Sequence, residues 1–241
     1  MTIMLGSCLQ QTNRESSGPQ RASEASSLAS KQTGLYIHSM TTPSSSAAAR
    51  QRLSGRPAEG ARERLLEAAD DLFYRRGIRN VGIDEIIATA GVAKASLYNH
   101  FASKDELVAE YVRRRGAAWW AWFRAGLEAR SSTPEGQLIA VFDVLVEWVG
   151  DSRFRGCALQ NAGVELADPT HPAHQSVVSS KRAVRAFLAS LATQAGYREP
   201  GEVAEQLALL FEGAIITALL EGTVGPARTA RAAALALLHR S

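Results

Sequence analysis

The 241-residue sequence predicts an all-α chain, built as an N-terminal three-helix helix-turn-helix domain followed by a larger C-terminal helical domain. Three observations predict it. Apolar residues recur at spacings of three and four from Ala61 almost to the C-terminus. Capping residues, prolines and glycines divide that pattern into about nine helix-length segments. No segment shows the alternation of a half-buried strand.

The elements follow in order. From Ala61 to Arg76, Leu65, Leu66, Ala69, Leu72 and Phe73 form one stripe, and Gly77 stops the helix behind Arg75 and Arg76, where cations suit its dipole. A short helix begins near Asp84 and Glu85 and stops at Gly91. A third runs from about Ala93 to His100, with Leu97 and Phe101 facing inward alongside Ile83, Ile86 and Ile87. Ser103, with Glu106 three residues on, is a capping-box signature opening a long helix to about Arg130. Thr133-Pro134-Glu135 starts the next, which ends at Gly150. Further helices cover Cys157 to Leu166, Ala173 to Ala195, Pro200 to Glu221 and Pro226 to His239.

Composition narrows the function. No uninterrupted apolar run reaches the roughly 18 residues of a membrane span. Two distant cysteines, Cys8 and Cys157, provide neither a disulfide framework nor a four-cysteine zinc site. Residues 1–10 lack the basic and apolar regions of a secretory signal, so a cytoplasmic protein is expected. The net charge of +3 is uneven: residues 1–56 carry +4, residues 57–104 carry 0 and residues 105–241 carry −1. The first segment holds twelve Ser, five Thr and a single aromatic, Tyr36, and is expected to be a disordered basic tail, with Met40 a second candidate start. The expected domains are 1–56 (tail), 57–104 (helix-turn-helix) and 105–241 (the larger helical domain).

Two short helices joined at Gly91 suit a helix-turn-helix. The second helix must present small or polar residues at its N-terminal end to enter a major groove, and Ala93, Lys94, Ala95 and Ser96 meet that need. The run GVAKASLYNHFASKDEL (Gly91–Leu107), preceded by ARERLLEAADDLFYRRG (Ala61–Gly77) and IDEIIATAG (Ile83–Gly91), resembles the DNA-binding domain of TetR-family transcriptional regulators. FRGCALQNAGVELADPTHP (Phe154–Pro172) is similar, more loosely, to one branch of that family.

The resemblance implies an all-α homodimer whose C-terminal domain binds a small ligand. It implies that Lys94, Ala95, Ser96, Tyr98 and Asn99 face DNA, and that His100 and Lys104 meet the phosphate backbone, the latter helped by N–H groups at its helix start. One departure stands out. The family usually has Thr or Ser just before the second helix, where Val81 and Gly82 stand here. Arg56, with Arg50 and Arg52, is either a solubilising linker or a basic arm for the minor groove.

Trp119, Trp120, Trp122 and Phe123 cluster on the long helix, with Phe142 and Trp148 on the next. Aromatics at helical spacing usually form core, yet a cavity between helices is a common ligand site. Trp119, Trp122, Phe142, Cys157, Asn161, Phe187 and Phe211 are the candidate lining, with Asn161 as an orienting polar group. Cys157 is either a small buried hydrophobe or a redox-sensitive thiol. Glu165, Asp168, His171 and His174 raise a metal reading that Pro169 and Pro172 weaken. Val203, Leu207, Leu210, Ala214 and Ala218, with Ala230, Ala233, Ala234 and Leu237, give the last two helices small-residue stripes for a four-helix dimer interface or for packing within the monomer.

These readings converge on a ligand-responsive repressor. It binds a palindromic double-stranded DNA operator as a homodimer and is released by a small apolar or aromatic effector. No enzymatic activity, cofactor, metal or membrane partner is expected. The competing readings are an all-α metal-dependent hydrolase and a helical protein-interaction module.

Overall fold

The computed structural model describes residues 59–239. The expectations for the tail, Arg56 included, lie outside the described residues. Among those residues there are nine helices and no strand: α1 (Glu59–Arg76), α2 (Ile83–Ala90), α3 (Lys94–His100), α4 (Lys104–Glu128), α5 (Pro134–Gly150), α6 (Ala158–Leu166), α7 (Pro172–Gln194), α8 (Pro200–Glu221) and α9 (Gly225–Leu238).

Local chemistry accounts for most of the boundaries. Ser103 Oγ accepts from the Glu106 backbone N–H at 3.1 Å, and Glu106 Oε2 accepts from the Ala102 N–H at 2.6 Å, a reciprocal cap on α4. Thr133 Oγ1 accepts from Gly136 N at 3.2 Å, with Pro134 at the first helical position of α5. Gly91 ends α2 in the left-handed region (φ 62°, ψ 42°), returning N–H bonds to the last turn. At the start of α2, Gly82 is extended and supplies no side-chain cap, so that departure from the family pattern leaves the helix uncapped there.

Helix α1 packs against α2, α3 and α4, so the small N-terminal unit closes on the start of the long helix. Its core is Leu65, Leu66, Ala69, Phe73, Ile86, Leu97 and Phe101, and Phe73 meets Tyr111 of α4 edge-on at 5.3 Å. A row of ion pairs reinforces the contact: Arg62 to Glu110 at 3.1 Å, Glu63 to Arg114 at 2.6 Å and Asp70 to Arg115 at 3.3 Å.

In the larger unit α7 packs against α4, α5, α6 and α8, and α9 closes on α5 and α8. The stripes of the last two helices fall differently from one possibility raised by the sequence. Val203, Leu207, Ala214, Ala218, Ala230 and Ala234 are buried inside the monomer. The outward face of α8 instead shows Leu209 (66% exposed), Ile216 (41%) and Leu220 (79%). Helix α8 is long and apolar enough to cross a membrane by length and composition, with a mean hydropathy of 1.7 over an 18-residue window. The sequence criterion of an unbroken apolar run overlooks it, because Glu212 interrupts the run. A helix apolar on both faces needs cover on both, and its own domain supplies one side.

Candidate DNA interface and effector cavity

The first site is the outer face of α3. Leu97 is fully buried and Phe101 nearly so, which fixes the helix's rotation against α1 and α2. Four residues apart on one side of the helix, they turn the rest outward. Lys94, Ala95, Asn99 and His100 are exposed, Tyr98 is 51% exposed, and Ser96 is half-buried. The turn is braced from behind, where Arg64 Nε of α1 donates to the Ala90 carbonyl at 3.2 Å.

Two of the expected contacts carry local ties. Lys94 Nζ donates to Asp84 Oδ1 at 3.0 Å across the turn, and this bond holds its pKa above the usual lysine value. The pair is exposed, so it yields readily to a competing phosphate. Lys104 differs more from expectation. Its ammonium donates to the Ile78 carbonyl at 2.7 Å and sits 5.9 Å from the Phe73 ring centre, and partial burial pulls its pKa down. The side chain therefore latches the 77–82 loop to α4, and a phosphate contact from it would break that latch.

The second site is a cavity of about 30 Å³ between α1, α4, α5, α7 and α8. Trp119, Trp148, Val184, Phe211 and Ile215 form its apolar wall, with Cys157, Ala158 and Leu159 at the start of α6. Trp119 stacks on Phe123 (4.7 Å, 14°) and lies 5.8 Å from Trp148 and 6.2 Å from Phe211. Of the seven residues expected here, Trp119, Cys157 and Phe211 line the cavity. The other four stand elsewhere. Phe142 is fully buried core behind Phe211, at 6.3 Å. Trp122 packs on the far side of Trp148, at 6.2 Å, and Phe187 packs edge-on against Trp120 at 5.3 Å. Asn161 orients no cavity group; its Nδ2 donates to the Arg155 carbonyl at 2.8 Å and secures the loop before α6.

The cavity also has polar members that sequence reasoning missed. Lys181 Nζ lies 2.7 Å from both carboxylate oxygens of Glu212 and 3.6 Å from Cys157 Sγ. Arg115 is only 7% exposed, and its guanidinium lies 4.0 Å above the Tyr74 ring while pairing with Asp70. Tyr74, from α1, donates its hydroxyl hydrogen to the Gly156 carbonyl and accepts from the Arg155 N–H, both at 3.0 Å. Burial raises the phenol's pKa, keeping it a neutral donor. The N-terminal unit thus contributes a wall to the cavity. A signal was available: Asp70 sits within the buried stripe Leu66–Ala69–Phe73, and Arg115 within Val108–Tyr111–Val112, charges where the period calls for apolar residues.

Three of the four residues behind the metal reading, Glu165, Asp168, His171 and His174, are taken up by structural duties. His171 Nδ1 accepts from the Ala173 N–H at 3.0 Å and caps α7, Asp168 holds Thr170, and Glu165 Oε2 accepts from the Arg79 N–H at 3.1 Å. Among the described residues no three His, Cys, Asp or Glu side chains converge as a metal site would require.

With this geometry in hand, comparison with known proteins is decisive. Residues 65–111 match the model of bacterial regulatory proteins of the tetR family, and residues 134–234 match that of the tetracyclin repressor-like C-terminal domain. The chain belongs to the TetR family. Its fold is similar to that of SCO4454, a TetR-family transcriptional regulator from Streptomyces coelicolor, with a TM-score of 0.69 and 32% identity over 76% of this chain and 96% of that one. Among curated relatives, the regulator YjdC of Escherichia coli is 27% identical over 70% of this chain and 88% of its own length. The repressor NemR of E. coli is 26% identical over 71% and 90%. The protein is therefore a TetR-family transcriptional regulator with an N-terminal helix-turn-helix DNA-binding domain and a C-terminal helical domain. Its homologues are regulators of transcription.

Proposed function

We propose that this chain is a cytoplasmic, ligand-responsive repressor. Two copies bind a palindromic operator, placing their α3 helices in successive major grooves roughly 34 Å apart. A small apolar or aromatic molecule entering the cavity then releases the DNA. One observation carries the ligand response: Tyr74 and Arg115 line the cavity while Tyr74 itself, and Arg115's partner Asp70, belong to α1. Displacing Arg115 or the Gly156 loop from Tyr74 changes how α1 sits on α4, and with it the placing of α3. The ligand shifts DNA affinity by the ratio of its affinities for the two arrangements. On α3, Lys94, Ala95, Ser96, Tyr98 and Asn99 are the residues assigned to base and backbone contact, with His100 at the phosphates. Dimerisation is supported by α8, whose Leu209, Ile216 and Leu220 stay exposed among the described residues. Two-fold pairing doubles the contacts that a seven-residue recognition helix offers.

The test is an electrophoretic mobility shift on DNA upstream of the protein's own gene. Ala95→Tyr places bulk on the groove-facing strip and is expected to abolish the shift while sedimentation still reports a dimer. A variant that retains the shift overturns the assignment of α3. A thermal-shift screen of metabolites, repeated with operator DNA, then identifies compounds whose stabilisation and DNA release go together.

A further inference from the structure

The cavity's hydrogen-bonding groups are unbalanced. The indole N–H of Trp119 is buried and finds no acceptor, one of two such side-chain atoms among the described residues. Lys181 directs two of its three N–H groups at the Glu212 carboxylate, and the sulfur near the third, Cys157 Sγ at 3.6 Å, is a weak acceptor. Both groups are donors, and both side chains line the same cavity as the Arg115 guanidinium. A buried donor without a partner costs free energy that an incoming acceptor recovers. Resting on the ligand-responsive reading above, we propose that the effector is an aromatic carboxylate. Its carboxylate accepts from Trp119 Nε1 and from the third N–H of Lys181, which then bridges it to Glu212, while its ring lies against Trp148 and Phe211.

The geometry also provides a way in. The cavity of about 30 Å³ is too small for a benzene ring as it stands, but Leu159 and Ser180 line both it and a groove of about 430 Å³ on the far side, between α4, α6 and α7. Gly116 faces Leu159 there: a Cβ at that position would lie 3.3 Å from Leu159 Cδ2. Swinging the Leu159 side chain aside joins the two spaces into one that admits a substituted ring.

The test uses three molecules of nearly one shape and different charge, benzoate, benzamide and benzylammonium, titrated calorimetrically into the full-length protein. A charge-assisted hydrogen bond in a shielded site favours benzoate over benzamide by about ten-fold or more, with benzylammonium weakest. Trp119→Phe keeps an aromatic side chain, though a smaller one, and removes the N–H, so benzoate loses more affinity than benzamide. Lys181→Met paired with Glu212→Gln removes both charges together and is expected to level benzoate with benzamide; circular dichroism confirms that each variant is folded. Equal binding of benzoate and benzamide, tighter binding of benzylammonium, binding of none of the three, or a benzoate preference that survives both variants overturns the proposal. The mobility shift of the unaltered protein is read alongside. A retained shift with no charge preference rejects the ligand class alone, whereas absence of the shift rejects the regulator reading itself.

Discussion

Arg115 of α4 is held on two sides by α1, by the Asp70 carboxylate 3.3 Å from its Nε and by the Tyr74 ring 4.0 Å beneath its guanidinium carbon. A buried guanidinium stripped of its carboxylate is costly. Replacing Asp70 with Asn, or Arg115 with Met, is expected to destabilise the protein by about 3 kcal/mol, while the double variant recovers much of that loss. Urea unfolding of the four proteins gives the cycle. Single variants no worse than the double would show that the pair does not join α1 to α4.

Two left-handed glycines separate backbone strain from crowding. At Gly91 (φ 62°) an added Cβ meets nothing within 4 Å, so Gly91→Ala is expected to cost only the conformational penalty of about 1–2 kcal/mol. At Gly156 (φ 79°) the same atom would lie 2.8 Å from Leu219 Cδ2. Gly156→Ala therefore has also to turn the end of the Leu219 side chain aside, which adds about 0.5–1.5 kcal/mol to the conformational cost. Thermal unfolding should rank Gly156→Ala below Gly91→Ala.

The exposed Lys94–Asp84 pair makes a prediction about DNA. Asp84→Asn removes a negative charge beside α3 and frees Lys94, so operator affinity should rise at low salt. Lys94→Ala should weaken binding and lower the slope of log affinity against log salt by about 1. Fluorescence anisotropy over a salt series measures both, and an unchanged slope would remove Lys94 from the phosphate contacts.

Acid should loosen the seam between α1 and α4. A hydrogen bond from Arg114 holds the Glu63 carboxyl below its ordinary pKa, and one from Arg113, with a smaller contribution from Arg62, does the same for Glu110. Because the folded values are depressed, this stabilisation is fully present above the unfolded glutamate pKa of about 4.3 and is lost as pH falls through the folded values. Glu63 is half exposed, so its share is below about 1 kcal/mol. Arg114→Ala should reduce stability at pH 7 slightly and flatten its decline between about pH 5 and 3. Denaturation midpoints across that range test it.

The outward face of α8 yields a test of assembly. Ile216→Glu with Leu220→Glu places charge on an exposed apolar ridge without touching the monomer core, since both side chains face out. Analytical ultracentrifugation should then report a monomer in place of a dimer. A dimer that persists moves the interface elsewhere.

The sequence made the helices legible because their signals are local: the Ser103/Glu106 cap, the Thr133-Pro134 start and the Gly91 stop all act within a turn of the boundary they set. Which residues of α3 face outward was legible for the same reason, since Leu97 and Phe101 fix the rotation of a helix only seven residues long. Cavity composition was harder to read. Trp119 and Trp122 lie on one helix a turn apart, and only the positions of α5 and α8 decide that one faces the cavity and the other packs beyond Trp148. Lys181 and Glu212 are 31 residues apart and meet through the packing of α7 on α8, which no local pattern encodes. Lys104 resembled a phosphate contact because its position matches the family's, yet the carbonyl it reaches depends on the path of the loop after Gly77.

An outer ridge of Leu209, Ile216 and Leu220 has a quantitative bearing on how such a regulator acts in a cell. If a second copy must hide that ridge, scarce chains stay mostly single, and operator occupancy then grows with the square of their number. Halving expression would cut the number of paired chains, and with it operator occupancy, about four-fold in that regime, so the amount of protein made becomes a control dial beside any small molecule.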